Sequence, residues 1–167
     1  MGRTLTVSDS VVIDADAETI WSQVADPGQT LRWSPENIGA SSGEGRPLHV
    51  GEVFDGTNRR GRATWVTECV VKESEPGRRF VFDVRRIGLR APTLRGRIAR
   101  WAYDLEPVDG GTRVTETWTD GRTSWPDWLA NAFDRAATGG STFADFQRRN
   151  IRRTLDRMKT ELDKPGG

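Results

Sequence analysis

Glu116 and Tyr103 are the residues best placed for acid–base chemistry in this chain. Both lie in the stretch Arg97 to Trp118, "RIARWAYDLEPVDGGTRVTETW". Asp109-Gly110 is a strong two-residue hairpin signal between two apolar-alternating runs. With that pair as the loop, Leu105 faces Val114, Tyr103 faces Glu116 and Trp101 faces Trp118. Side chains alternate along a strand, so these six share one face. The opposite face pairs Glu106 with Arg113, Asp104 with Thr115, Ala102 with Thr117 and Arg100 with Thr119. A carboxyl set among tryptophans and a tyrosine has its pKa raised by burial, which keeps it protonated or poises it as a general base. Such a face is either a core with one awkward acid or the wall of a pocket. A reach inward by Arg59, Arg60 or Arg86 would make an ordinary buried ion pair of Glu116.

Other chemistry is sparse. His49 is the only histidine and follows Ser34–Pro47, a Ser/Gly/Pro-rich stretch that reads as an exposed loop. It is expected to be a solvated loop residue. Cys69 is the single cysteine, so an intramolecular disulfide and a Cys/His zinc cluster are both excluded. No nucleophile–base pair, phosphate loop or metal set is visible, and no cofactor or metal is expected. The net charge of +1 argues against a nucleic-acid partner. The most basic patch holds Arg85, Arg86, Arg90, Arg95, Arg97 and Arg100. It reads as a solvated loop, with an acidic partner as the alternative. The start, "MGRTLTVSDS", has no apolar run that would suit a signal peptide. No run approaches the ~20 residues needed to span a bilayer. The expectation is a cytoplasmic protein without integral membrane contact, as a monomer or homodimer.

The elements that must position these residues follow from the pattern. With 167 residues, 29% of them charged and 35% apolar, the chain suits one soluble globular domain over residues 1–163 with a flexible tail at 164–167. Seven tryptophans and six phenylalanines supply much of the buriable bulk. Leu5 to Ile13 reads as a strand. Asp16 then caps a helix whose Ala17, Ile20, Trp21 and Val24 share a face. A short helix around Gln29 to Trp33 follows, with Trp33 folding back as a plug. Glu52–Arg60 and Ala63–Glu73 read as strands around an Arg60-Gly61 turn, which sets Gly56 against Trp65 and Phe54 against Thr67. Arg79–Ile87 comes next, with Val71 facing Phe82 and Cys69 facing Val84. Trp65, Thr67, Cys69, Val71, Phe80, Phe82 and Val84 then share a face. After the Arg97–Trp118 hairpin, Asp127–Ala137 is a short helix with Trp128, Leu129 and Phe133 apolar. The last element is a helix from Ser141 or Thr142 to Asp163. Its inner stripe is Phe143, Phe146, Asn150, Thr154, Leu155, Met158 and Leu162, with Ile151 at the edge. At 1.5 Å per residue it spans roughly 33 Å, enough to cross a whole sheet.

This order, with "VVIDADAETIWSQVADPGQTLRW" at the front, "LEPVDGGTRVTETW" late and "RRNIRRTLDRMKTEL" at the end, resembles the SRPBCC (START-like) superfamily. It is most similar to bacterial members labelled polyketide cyclase/dehydrase. The resemblance covers essentially the whole chain. It implies an α+β helix-grip fold, in which a curved antiparallel sheet wraps the C-terminal helix and leaves a cavity for an apolar ligand. Trp65, Phe80, Phe82, Trp101, Tyr103 and Trp118 would surround the helix stripe, joined by Phe54 and Thr67. Phe146 and Thr154 would face them from the helix, and Asn58, Glu116 and Asn150 would be polar points on the wall. Binding or carriage of a lipid-, polyketide- or aromatic-type molecule is the function this implies. The alternatives are an aromatase/cyclase- or dehydratase-type enzyme, with Glu116 and Tyr103 as its acid–base candidates, and a regulatory protein-interaction module.

Overall fold

The computed structural model describes residues 2–41 and 45–164. Strand β1 (Thr6–Ile13) leads into helix α1 (Ala17–Val24) and a 3-10 turn (Pro27–Arg32). Strands β2 (Asn37–Ala40), β3 (Val53–Arg60), β4 (Ala63–Glu75), β5 (Arg79–Gly88), β6 (Leu94–Val108) and β7 (Gly111–Asp120) follow, then helices α2 (Asp127–Thr138) and α3 (Phe143–Leu162). The seven strands form one antiparallel sheet in the order β1-β7-β6-β5-β4-β3-β2. The sheet curls around α3, the helix-grip arrangement that the resemblance implied.

Local chemistry fixes the helix ends. Asp16 caps α1 by accepting from the Thr19 amide at 2.9 Å. Ile20, Trp21 and Val24 are buried from this helix, and Trp33 closes over them at 1% exposure. Thr142 caps α3 by accepting from the Asp145 amide at 3.2 Å. The far end of α3 is tied to β1: Lys159 Nζ donates to the Val12 carbonyl at 2.8 Å, and the Asp14 amide donates to Asp163 Oδ1 at 2.8 Å. The Lys164 amide also bonds to the Asp14 carbonyl at 2.9 Å, so the first residue of the expected tail is anchored; residues 165–167 lie outside the described residues.

The β6–β7 hairpin has the expected register throughout, from Arg100–Thr119 to Glu106–Arg113, with Tyr103 opposite Glu116. Gly111, at φ 135°, lets this turn press against β1; a Cβ there would stand 2.0 Å from the Ile13 carbonyl oxygen. On the convex face, Val81 and Ala102 are buried. They share that face with the Arg79–Glu73, Arg79–Asp104 and Arg100–Asp83 ion pairs.

Three expectations are corrected. The β3–β4 turn is Gly61-Arg62 rather than Arg60-Gly61, because Gly61, at φ 59°, takes the first loop position, where a tight hairpin turn needs a positive φ. The register therefore moves by two residues: Gly56 faces Thr67, Phe54 faces Cys69 and Asn58 faces Trp65. A two-residue shift preserves the face of every side chain. The Ser34–Pro47 stretch is not all loop, since Asn37–Ala40 adds the edge strand β2 to β3; residues 42–44 of that stretch lie outside the described residues. The inner stripe of α3 runs through Ala144, Gln147, Asn150, Ile151, Thr154, Leu155 and Met158. Ile151, at 1% exposure, is central rather than marginal. Phe143 and Phe146 flank the stripe because each ring has its own partner: Phe133 of α2 for Phe143, and the guanidinium of Arg60 at the end of β3, 4.0 Å from the ring centre, for Phe146.

Candidate functional site

Two neighbouring strands bring Glu116 and Tyr103 together on the concave face. Tyr103 Oη donates to Glu116 Oε1 at 2.9 Å, and both side chains are buried. Glu116 Oε2 is buried with no hydrogen-bond partner. Burial pushes the Glu116 carboxyl up to about 8, against the opposing effect of the tyrosine hydrogen bond. The same burial, with the carboxylate beside it, raises the Tyr103 hydroxyl well above the ordinary phenol range. None of the arginines that sequence offered as partners reaches this carboxyl. Arg60 pairs with Glu36 at 2.7 Å and Arg86 lies 3.5 Å from Glu68, while Arg59 is exposed.

The surrounding face grades from closed to open. Phe80, Tyr103, Glu116 and Trp118 are almost fully buried, as are Phe54 on β3 and Thr154 on α3. Trp65, Thr67, Phe82 and Trp101, on the same face, are only half-buried. Phe82 contacts both Phe54 (ring centres 5.2 Å apart) and Phe80 (5.9 Å). The concave-face aromatics thus range from the closed Tyr103–Glu116 pair to rings that still meet solvent towards the β3–β4 turn.

The other polar points are engaged. Asn58 Nδ2 donates to the Gly56 carbonyl at 3.2 Å and to Thr67 Oγ1 at 3.4 Å. Asn150 Nδ2 donates to Glu36 Oε2 at 3.2 Å and to Gln147 Oε1 at 3.3 Å. Glu36 thus joins Arg60 of β3 to Asn150 of α3. Arg60 also stacks on Trp65, 5.2 Å from the ring centre, and donates to the Ala137 carbonyl at the end of α2 at 2.9 Å. This clamp was not legible in the sequence, where Glu36 sits inside the Ser/Gly/Pro-rich stretch. His49 is exposed, and its amide donates to Glu52 Oε2 at 2.6 Å.

Sequence reasoning also missed a buried charge cluster that sets the position of α2. Arg122 makes a bidentate pair with Asp120 (2.7 and 2.9 Å) and a third bond to Asp134 of α2 at 2.8 Å. Asp134 in turn accepts from the Phe143 amide at 2.9 Å. Burial alone would raise the Asp120 carboxyl, but the hydrogen bonds and charge of Arg122 hold it below the usual range. Arg3 adds an ion pair to Asp120 at 3.4 Å and bonds to the Arg122 carbonyl. The outward side of α3 carries two open grooves lined by charged side chains, one of about 370 Å³ beside Arg32 and Glu161 and one of about 460 Å³ beside Asp9 and Arg153.

A curled sheet gripping a long C-terminal helix over an aromatic concave face defines the START-like class. Within it, the chain belongs to the polyketide cyclase/dehydrase and lipid transport family, whose model matches residues 4–163. The chain is similar to the polyketide_cyc-like protein Cgl2372 from Corynebacterium glutamicum, at 26% identity over 97% of this chain and 93% of that one, TM-score 0.58. A START superfamily protein from Mycobacterium smegmatis shares the fold at 14% identity over 95% and 97% of the two chains, TM-score 0.65. Protein CV1439 from Chromobacterium violaceum does so at 13% identity over 97% and 100%, TM-score 0.67. No curated protein matches the chain.

Among the described residues, no helix is long and apolar enough to cross a membrane.

Proposed function

We propose that the protein binds and carries an apolar small molecule of lipid, polyketide or aromatic type between the sheet and α3. The observation that carries this reading is the unpartnered Oε2 of Glu116 inside a largely apolar interior. A buried polar atom without a partner is costly, and a ligand carbonyl or hydroxyl at that point would satisfy it. Trp118, Trp101, Phe80 and Phe82 would supply the apolar wall, with Phe54, Trp65, Thr67, Phe146 and Thr154 around it. A mostly apolar site with one orienting polar group is the usual form of a small-molecule pocket. Asn58 and Asn150 would hold the entrance rather than the ligand, since their amides are already bonded.

The raised Glu116 pKa favours a second reading, in which this carboxyl acts as a general acid or base in a dehydratase- or cyclase-type step with Tyr103 orienting it. Glu116→Gln separates the two. A carrier keeps its probe affinity within a few fold and has no turnover to lose; an enzyme keeps binding but loses about 10²–10⁴-fold in rate. The test of binding itself is titration with a fluorescent apolar probe, read by tryptophan energy transfer. Half-buried Trp101→Ala should fold normally and bind at least tenfold more weakly. Unchanged affinity would remove Trp101 from the wall.

A further inference from the structure

Helix α2 faces outward with its apolar side. The buried Arg122–Asp134 ion pair at 2.8 Å turns Asp134 and Ala130 inward. Trp128, Leu129, Ala132, Phe133 and Ala136, spaced at i, i+1, i+4, i+5 and i+8, are all left exposed, Trp128 at 72% and Phe133 at 49%. The charge cluster thus sets the orientation, helped by the edge contacts of the Phe133 ring with Trp125 (5.7 Å) and Phe143 (6.1 Å), and leaves most of the apolar side of the helix outward. Two more apolar tips project from the same end of the sheet: Leu89, 82% exposed, on the β5–β6 loop, and Leu94, 69% exposed, at the start of β6. Backbone and side-chain bonds fix this common end. Arg60 joins the β3–β4 turn to the end of α2, and the Gly121 amide joins the β7–α2 connection to the Ile98 carbonyl of β6 at 3.0 Å. Arg62, Arg90, Arg95, Arg97 and Arg135 surround these tips, all exposed and without an acidic partner among the described residues.

We infer that this end of the molecule docks on an anionic lipid surface, with Trp128, Phe133, Leu89 and Leu94 entering the headgroup region and the arginines on the phosphates. The charge selects the occupant. A second copy presenting the same face would set its arginines against these and be repelled. A surface of anionic headgroups over acyl chains matches both the cations and the separate projecting apolar tips. Arginine stems lie along apolar surface while their heads stay at the phosphates, and exposed tryptophan suits that interface. The inference is independent of what the interior holds.

The experiment is co-sedimentation of the full chain with phosphatidylcholine vesicles, with and without phosphatidylglycerol, at low ionic strength. Binding is expected to the phosphatidylglycerol vesicles and to weaken with salt. Neutralising three cations together (Arg90→Gln, Arg95→Gln, Arg97→Gln) should weaken it on the order of 100-fold, roughly fivefold for each arginine. Trp128→Ser with Phe133→Ser should weaken it separately, and brominated lipids should quench the wild type more than Trp128→Phe. Arg157→Glu, on the C-terminal half of α3, should bind as wild type. Circular dichroism confirms that each variant is folded. Absence of binding to phosphatidylglycerol vesicles would overturn the inference. So would binding indifferent to both sets of substitutions, or a concentration-dependent dimer lost in the Trp128/Phe133 variant without vesicle binding.

Discussion

Tyr103 Oη donates to one oxygen of Glu116 across the β6–β7 pair, at 2.9 Å, and leaves the other oxygen buried and unpaired. The cost of that arrangement depends on pH. The folded state keeps the Glu116 proton up to about pH 8, whereas an unfolded glutamate loses it near pH 4.3. Across that window the unfolded state binds fewer protons than the folded one, so this residue makes stability fall as pH rises and level off above about 8. Near pH 7 the loss is on the order of 3 kcal/mol relative to a neutral isostere. Denaturant unfolding at pH 5 and pH 8 should therefore show Glu116→Gln gaining on wild type at the higher pH. A constant difference between the two proteins would show that Glu116 is already ionised at the lower pH.

The hairpin carrying this pair was readable residue by residue because two local signals agree there. Asp109-Gly110 fixes the loop, and alternation from Trp101 to Leu105 and from Val114 to Trp118 fixes the face. The β3–β4 turn was less readable. Arg60, Gly61 and Arg62 allow more than one two-residue loop, and both the expected and observed registers keep the same faces. The interior of α3 was read correctly at Asn150, Thr154, Leu155 and Met158, and missed Ala144 and Gln147 because Phe143 and Phe146 are the bulkiest apolar residues of its first turns. Their partners come from other elements, Phe133 from the preceding helix and Arg60 from β3. The Arg122 cluster and the Glu36–Arg60–Asn150 clamp were invisible for the same reason. Apart from the Asp120–Arg122 pair, two positions apart, their links join polar groups 12 or more positions apart, and no local periodicity records such a pairing.

The Arg122 cluster should behave as a buried charge set. Arg122→Met leaves Asp120 and Asp134, at 2% exposure each, without their shared cation. The expected destabilisation is about 3–5 kcal/mol, with α2 released from the body of the protein, so that proteolysis between Gly121 and Thr142 accelerates. Wild-type stability and cleavage would mean that Arg3 alone compensates both acids.

The grip of the sheet on α3 rests on Leu155 and Met158, both fully buried. Leu155→Ala or Met158→Ala should cost about 2–5 kcal/mol, seen as a lowered Tm in calorimetry. Arg157→Ala, exposed on the same helix, should change Tm by less than either. Equal effects at all three positions would contradict the packing described.

Cys69 provides an internal reporter. Burial pushes its thiol up to about 12, against roughly 8.5 for a free cysteine. The thiolate fraction at neutral pH then falls on the order of 10³-fold, before any steric shielding. Ellman's reagent should react at the rate of unfolding in native buffer and at once in denaturant. Fast labelling of folded protein would place β4 in a more open sheet than the one described.

The central proposal is that an apolar molecule binds beside Glu116, Trp101 and Trp118. Native mass spectrometry of freshly purified protein tests it most directly, with an added apolar probe where no endogenous ligand survives purification. The account predicts one bound molecule per chain, released on denaturation and held more weakly by Trp101→Ala, while Glu116→Gln keeps the stoichiometry. A bare chain mass under every condition, with no one-to-one complex at any probe concentration, would contradict it.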